Sequence, residues 1–268
     1  MHQAKGFILT IGKGTGDRND DFALIQSVSS GCQVGVIGDF TSNSARGVNL
    51  RLRDALGAYL KEKTPVWRER LIEPQTIAEL TLRFADKWLA DRTETARTTM
   101  IVMVTDTRAG MLYHLSVGDS GLALIHRGEC RFIYLGDTSG VRDASGFLPL
   151  GAAGFQVETT PLPKDGVLLA YTDGLWENTQ LMQALQPSRR SGFLASLLTG
   201  PNLSSMEQGL KNELLAPADR TDDLTLLVLV PNQGSGAFAA DPQTLTPSQT
   251  DPYLEAMLDR CFSRHIPS

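Results

Sequence analysis

The sequence predicts an α+β fold in which antiparallel sheets pack face to face as a β-sandwich, accompanied by helices. Three observations carry that prediction. Short apolar segments recur along the chain, separated by turns rich in glycine, serine and aspartate. From 111 to 117 the apolar residues alternate, Met111, Tyr113, Leu115 and Val117, as in a strand with one buried face. Two stretches, 45–61 and 74–91, instead space their apolar residues for a helix.

The 268 residues are enough to bury a substantial core, and 41% hydrophobic with 21% charged residues fits a soluble globular protein. The net charge of −5 and the lack of a Lys/Arg block argue against nucleic acid or an anionic membrane as partner. Residues 1–10 lack a charged segment followed by an apolar one, so no secretion signal is expected. No apolar run approaches the roughly 20 residues a membrane helix needs. Cys32, Cys130 and Cys261 are few, odd in number and far apart, as reduced thiols of a cytoplasmic protein would be. His114 and His126 fall in strand-like segments and read as ordinary strand residues.

The elements follow in order. Residues 7–11 form a first strand and meet the loop Gly12-Lys13-Gly14-Thr15-Gly16, whose spacing matches neither a phosphate-cradling nor a dinucleotide loop. Strands at 22–25 and 34–37 come next, the second running into Gly38-Asp39. Ser42, Asn43 and Ser44 are candidate caps for the helix 45–61, which Pro65 is expected to interrupt, and a second helix covers 74–91. Strands 98–105, 111–117, 121–126 and 130–134 read as one antiparallel meander, 157–163 as an edge strand, and 167–171 as a buried strand ending in Thr172-Asp173-Gly174. The pattern turns helical at 181–185, 193–198 and 203–215 before the most apolar strand, 224–230. Residues 232–250 are rich in Gly, Pro, Ser, Thr and Gln and read as a linker to a tail, 251–268, with a short helix at about 252–264.

Acids recur where strands begin or end. Asp20, Asp21, Asp222 and Asp223 precede strands, while Asp39, Asp119 and Asp173 follow them. In an antiparallel sheet the start of one strand lies beside the end of its neighbour, so these acids gather on one rim. Several carboxylates together are destabilising unless cations screen them, and no Lys or Arg cluster lies near these segments in sequence. A donor set of oxygens alone selects hard divalent ions, Mg²⁺ or Mn²⁺. Such ions polarise phosphoryl oxygens and acidify water, chemistry that needs no Ser, Cys or His nucleophile from the chain.

These segments, in this order, resemble the metal-dependent protein phosphatases of the phosphatase 2C (PPM) family over about residues 6–231. Asn19-Asp20-Asp21 is similar to the family's Asn-Glu-Asp element and Gly38-Asp39 to its metal-bridging aspartate. Val117-Gly118-Asp119-Ser120 is similar to its Gly-Asp-Ser element, Thr172-Asp173-Gly174 to its (Ser/Thr)-Asp-Gly element, and Asp222-Asp223-Leu224-Thr225 to its closing element. The resemblance implies a sandwich with helices on both outer faces and a catalytic domain at 1–231, in which 180–218 supply helices and a flap. It also implies two, or with a third weaker site three, Mn²⁺ or Mg²⁺ ions. Asp39, Asp173 and Asp222 would hold the first ion. Asp20, Asp39 and the Phe40 carbonyl would hold the second, and Asp119 would help with the third. Asp21 and Asp223 would support them. The implied substrate is a phosphorylated Ser/Thr protein, with a cognate kinase or regulator as further partner.

Some positions depart from the family pattern. Gly38-Asp39-Phe40 resembles the bacterial branch that acts on sporulation and stress-response regulators. The place of the family's phosphate-binding arginine is Gly16, leaving Arg18, two residues before Asp20, as the candidate. Arg97 stands where a glycine is common. These departures motivate a second reading, a phosphatase-fold module that binds a phosphoprotein or regulator without turnover. A phosphatase acting on a small molecule is a third.

Overall fold

The computed structural model describes residues 5–12, 19–29, 31–40, 47–92, 96–134, 147–149, 156–177, 203–215 and 222–230. Ten strands among them form two five-stranded sheets. The first sheet has the order β1 (Lys5–Ile11), β10 (Leu224–Val230), β9 (Val167–Tyr171), β6 (Gly121–His126), β7 (Glu129–Tyr134). The second has the order β2 (Asp21–Ser29), β3 (Cys32–Asp39), β4 (Met100–Asp106), β5 (Met111–Val117), β8 (Glu158–Pro161). Every pairing is antiparallel.

Three apolar layers follow from the period-two alternation of these strands. Ile37, Ile101, Met103, Leu112, Leu122, Leu168, Leu227 and Leu229 meet between the sheets. On the outer face of the second sheet, Val34, Val36, Val102 and Val104 pack with Leu52, Leu56 and Leu60 of helix α1 (Val48–Glu69) and Ile77, Leu82 and Leu89 of helix α2 (Pro74–Arg92). On the outer face of the first sheet, Leu169, Leu226 and Val228 pack with Leu175 of the short helix α3 (Gly174–Glu177) and with Met206 and Leu210 of helix α4 (Leu203–Leu215). Helices thus cover both outer faces of an antiparallel sandwich, as the family resemblance implies.

Two expectations are corrected. Helix α1 runs through Pro65 to Glu69. A proline inside a helix costs about 3 kcal/mol, but the apolar stripe of Leu52, Leu56 and Leu60 continues past it to Trp67, which is buried against the edge of Tyr59. Each large side chain so buried contributes about 1.5–3 kcal/mol, enough to carry the helix across the proline. The expected meander is also broken. β6 and β7 form a hairpin, but β5 and β6 lie in different sheets, so the chain crosses the sandwich at Gly118-Asp119-Ser120. Local alternation is the same for either partner and does not decide it.

Smaller differences lie at element ends. β3 includes Asp39 as its last residue, and α1 starts after Gly47, which has φ 76° and offers no side-chain cap. The candidate caps Ser42, Asn43 and Ser44 lie outside the described residues, as do the helices at 181–185 and 193–198, the linker 232–250 and the tail 251–268. No helix among the described residues is long and apolar enough to cross a membrane.

Candidate metal centre

One rim of the sandwich collects the acids because the strands that carry them begin or end there. β2 starts at Asp21 and β3 stops at Asp39, and the register sets these residues directly opposite each other. Strand alternation turns both inward, Asp21 in phase with Ala23 and Asp39 in phase with Ile37, which face the layer between the sheets. In the first sheet, Leu226 of β10 pairs with Tyr171 of β9, so Asp222 and Asp223 before one strand lie beside Asp173 after the other. Gly174 follows Asp173 because a Cβ there would fall on the Asp223 carbonyl oxygen.

Hydrogen bonds tie the two sheets together at this rim. The Asp20 N–H donates to Asp223 Oδ2 at 2.7 Å, and Thr172 Oγ1 donates to Asp21 Oδ2 at 2.9 Å. The Thr225 N–H donates to Thr172 Oγ1 at 3.0 Å, and the Thr172 N–H to the Thr225 carbonyl at 3.1 Å. The backbone at Asp39 is clamped from β4's side. Its N–H donates to Thr99 Oγ1 at 3.2 Å, while its carbonyl accepts from the Thr99 N–H at 2.9 Å and from Thr98 Oγ1 at 2.8 Å. Thr99 Oγ1 is in turn 2.7 Å from Ser120 Oγ, which brings the Asp119 turn to the same place.

The electrostatics follow from burial. Asp21 is 4% exposed, and burial is the main reason its carboxyl is pushed up to about 7, against hydrogen bonds from Asp39, Thr172 and Thr225. Asp39 is held well above the usual carboxylate range by burial first, then by the negative charges of Asp21 and Asp173, the hydrogen bond to Asp21, and the charge of Asp222. Asp21 Oδ1 has no N–H or O–H donor among the described residues. The Asp39 carboxyl faces Asp21 across the strand pair and can donate to it only when protonated. Asp21, Asp173 and Asp222, from three further segments and both sheets, thus act on Asp39, and the negative charge gathered there is what a cation would offset.

The donor chemistry fits a hard divalent ion. Carboxylates supply the rim, whereas Cys32 and Cys130 are free thiols that burial pushes up to about 12, protonated at neutral pH and unsuited to metal. His126 stands at the far end of β6, with Nε2 2.8 Å from Asp165 Oδ1. Among the described residues no three His, Cys, Asp or Glu side chains already close around a point as a finished cage. Like-charged groups hold such closure poorly without a cation between them.

Of the sequence-predicted residues, Asp39, Asp173 and Asp222 share the electrostatics of one centre. Asp20 joins it through its backbone, and Asp119 through the neighbouring Ser120. Phe40 pairs with Thr98 and turns its ring into the core, 5.8 Å from Phe22. Arg18 lies outside the described residues. Asp21, to which the resemblance gives a supporting place, directly faces Asp39, and its inward phase on β2 is the signal for that. Asn49 was missed altogether. Buried on α1, it donates from Nδ2 to the Asn19 carbonyl at 2.8 Å and the Asp21 carbonyl at 3.3 Å, holding the entry to β2. A polar residue on the otherwise apolar face of Val48 and Leu52 was its only trace.

A family model described as Stage II sporulation protein E (SpoIIE) matches residues 31–231. None of the curated proteins matches the sequence. Among solved structures, the chain is similar to RsbX in complex with magnesium, at 15% identity over 85% of this chain and 98% of that one, with a TM-score of 0.56. It is similar to the RsbU and RsbW domains of a Mycobacterium tuberculosis protein at 19% identity, covering 85% of this chain and 60% of that one, with a TM-score of 0.61. The catalytic domain of the serine/threonine phosphatase PstP in complex with two manganese ions shares 14% identity over 84% of this chain and 97% of that one, TM-score 0.58. At these identities the likeness to the solved structures is one of fold. Most of the length being matched by the family model, the chain belongs to the SpoIIE family.

Proposed function

We propose that this chain is a cytoplasmic phosphatase that hydrolyses phosphoserine or phosphothreonine in a partner protein, using Mn²⁺ or Mg²⁺ at the acidic rim. The observation that carries this reading is the placement of Asp39 among Asp21, Asp173 and Asp222, drawn from both sheets. Asp39, Asp173 and Asp222 would hold one ion, Asp39, Asp20 and the Phe40 carbonyl a second, and Asp119 would support a third. Bound ions of this class supply Lewis acidity, polarising phosphoryl oxygens and acidifying water.

The chain's own residues set the geometry. The Thr98 and Thr99 clamp fixes where Asp39 leaves the sheet, and Thr172 holds the Asp21 carboxyl in place behind it. Half-buried Asp173 and Asp222 border the solvent side, where a phosphoryl group on a protein surface can approach. Arg18 would bind its oxygens. In the reaction the oxygen of water bonds to phosphorus as the ester P–O bond breaks, releasing the side-chain alcohol and inorganic phosphate. Residues 1–231 would form the catalytic unit, with 180–218 as a flap beside the rim. A cognate kinase or regulator would share the substrate.

Hydrolysis of an aryl phosphate with Mn²⁺ tests this reading. The wild type should turn over, and Asp39→Asn or Asp173→Asn should nearly abolish it; wild-type rates in both variants would refute the roles assigned. The Asp39-Phe40 pair and the glycine at position 16 favour one second reading, a module that binds a phosphoprotein or regulator without turnover. Calorimetry separates the two. Failure to bind Mn²⁺ at millimolar concentration selects the module.

A further inference from the structure

We propose that Tyr134 is a positioning residue for Asp119, aimed at the acidic rim by a β-bulge in the edge strand β7. In the β6–β7 hairpin, His126 pairs with Glu129, Ile125 with Cys130, Leu124 with Arg131 and Ala123 with Phe132, but Leu122 pairs with Tyr134. Ile133 is therefore the extra residue of a bulge. Regular alternation would place Tyr134 on the same face as Cys130 and Phe132, which pack against the outer cluster. Tyr134 packs instead, with Ile133, against the cluster between the sheets. A bulge that redirects one side chain beside a functional site is a recurrent device.

The redirected phenol donates from Oη to the Gly118 carbonyl at 2.6 Å. Gly118 has φ 91°, a left-handed conformation that only glycine adopts without strain, at the point where the chain leaves one sheet for the other. The next residue is Asp119. On its other side Ser120 Oγ is held 2.7 Å from Thr99 Oγ1, and Gly121 pairs with Tyr171, two residues before Asp173. Asp119 is thus suspended between two hydrogen bonds, one to β4's threonine and one to Tyr134. The second is the only one of the pair that reaches the turn from the outermost strand of the first sheet. Partners bonded to a ligand itself typically change metal affinity by about 10- to 100-fold when removed; Tyr134 acts one residue away, through the turn, so its effect belongs at the low end.

This inference rests on the metal-dependent reading of the rim. The test is calorimetric titration of Mn²⁺ into wild type and Tyr134→Phe, which keeps the ring and removes only the hydroxyl, with Tyr113→Phe as a control elsewhere on the sandwich. Thermal melting without metal chooses a temperature at which all three are folded. Tyr134→Phe should weaken the weakest Mn²⁺-binding step by about tenfold and leave the tighter step within about twofold, while Tyr113→Phe behaves like wild type. Amide exchange at Asp119 and Ser120 should quicken in the same variant. Equal weakening of every step, unchanged affinity throughout, or a Tyr134→Phe chain that folds at no temperature each overturns the proposal. A wild type that binds no Mn²⁺ overturns the reading beneath it instead.

Discussion

At the acidic rim the second sheet sets Asp21 directly against Asp39, whereas the first sheet brings Thr172 to Thr225. The two ends are built alike from antiparallel strands, yet their chemistry differs. A threonine hydroxyl both donates and accepts, so Thr172 satisfies the Thr225 N–H and still donates to Asp21. Two ionised carboxylates only accept, so Asp21 and Asp39 cannot satisfy each other without a proton or a cation. One sheet therefore closes its own hydrogen bonds and braces the other. The braced sheet is left with an electrostatic deficit, which is what a metal site requires.

Breaking the deficit should have the largest effect. Asp39→Asn replaces an acceptor by a group that can donate to Asp21, and should lower kcat/KM by at least about a hundredfold, on the scale seen when one electrostatic group is removed from an active site. The same variant should melt higher than wild type in chelator, because it removes the like-charge repulsion of Asp39 with Asp21, Asp173 and Asp222. Loss of function together with a lower metal-free melting temperature would show that Asp39 serves the fold instead.

Breaking the brace should come next. Thr172→Val keeps the shape but leaves the buried Thr225 N–H and Asp21 Oδ2 without their hydroxyl partner, destabilising the protein by about 1–3 kcal/mol. Denaturant unfolding reads this directly, and a change below about 0.5 kcal/mol would place the brace elsewhere.

The contrast can also be sharpened through pH. Asp21 is raised in the folded protein from 3.8 to about 7. Its protonation therefore stabilises the metal-free fold fully below pH 3.8, and that contribution is lost as pH rises through 7. Melting temperature in chelator should fall across this window. With saturating Mn²⁺ the fall should flatten or reverse, because ions bind the deprotonated acids. Parallel curves with and without metal would separate Asp21 from the ion site.

Much of this was legible in the chain. Asp39, Asp173 and Asp222 stand out because each marks the end or start of a strand, and antiparallel pairing converts such positions into a common rim. Asp20 and Asp21 were harder to rank. Adjacent in sequence, they differ only in phase, and Asp21 is the one that β2 turns inward beside Ala23. Asn49 left almost no trace, since one polar residue on an apolar helix face has several ordinary explanations. The bulge at Ile133 left none, because 130–134 reads as an uninterrupted strand until its partner is known.

By itself the sequence determined the strands, the helices and the acids at strand ends, because alternation and helical period are properties of a few neighbouring residues. The tertiary structure alone decided that β5 and β6 part company at Gly118-Asp119-Ser120, that α1 survives Pro65, and that Tyr134 reaches the Gly118 carbonyl. It also decided that Asp21 and Asp39 face each other out of water, so that burial raises both. Each depends on which distant segment lies alongside and how much water it excludes, and neither quantity is written in local order.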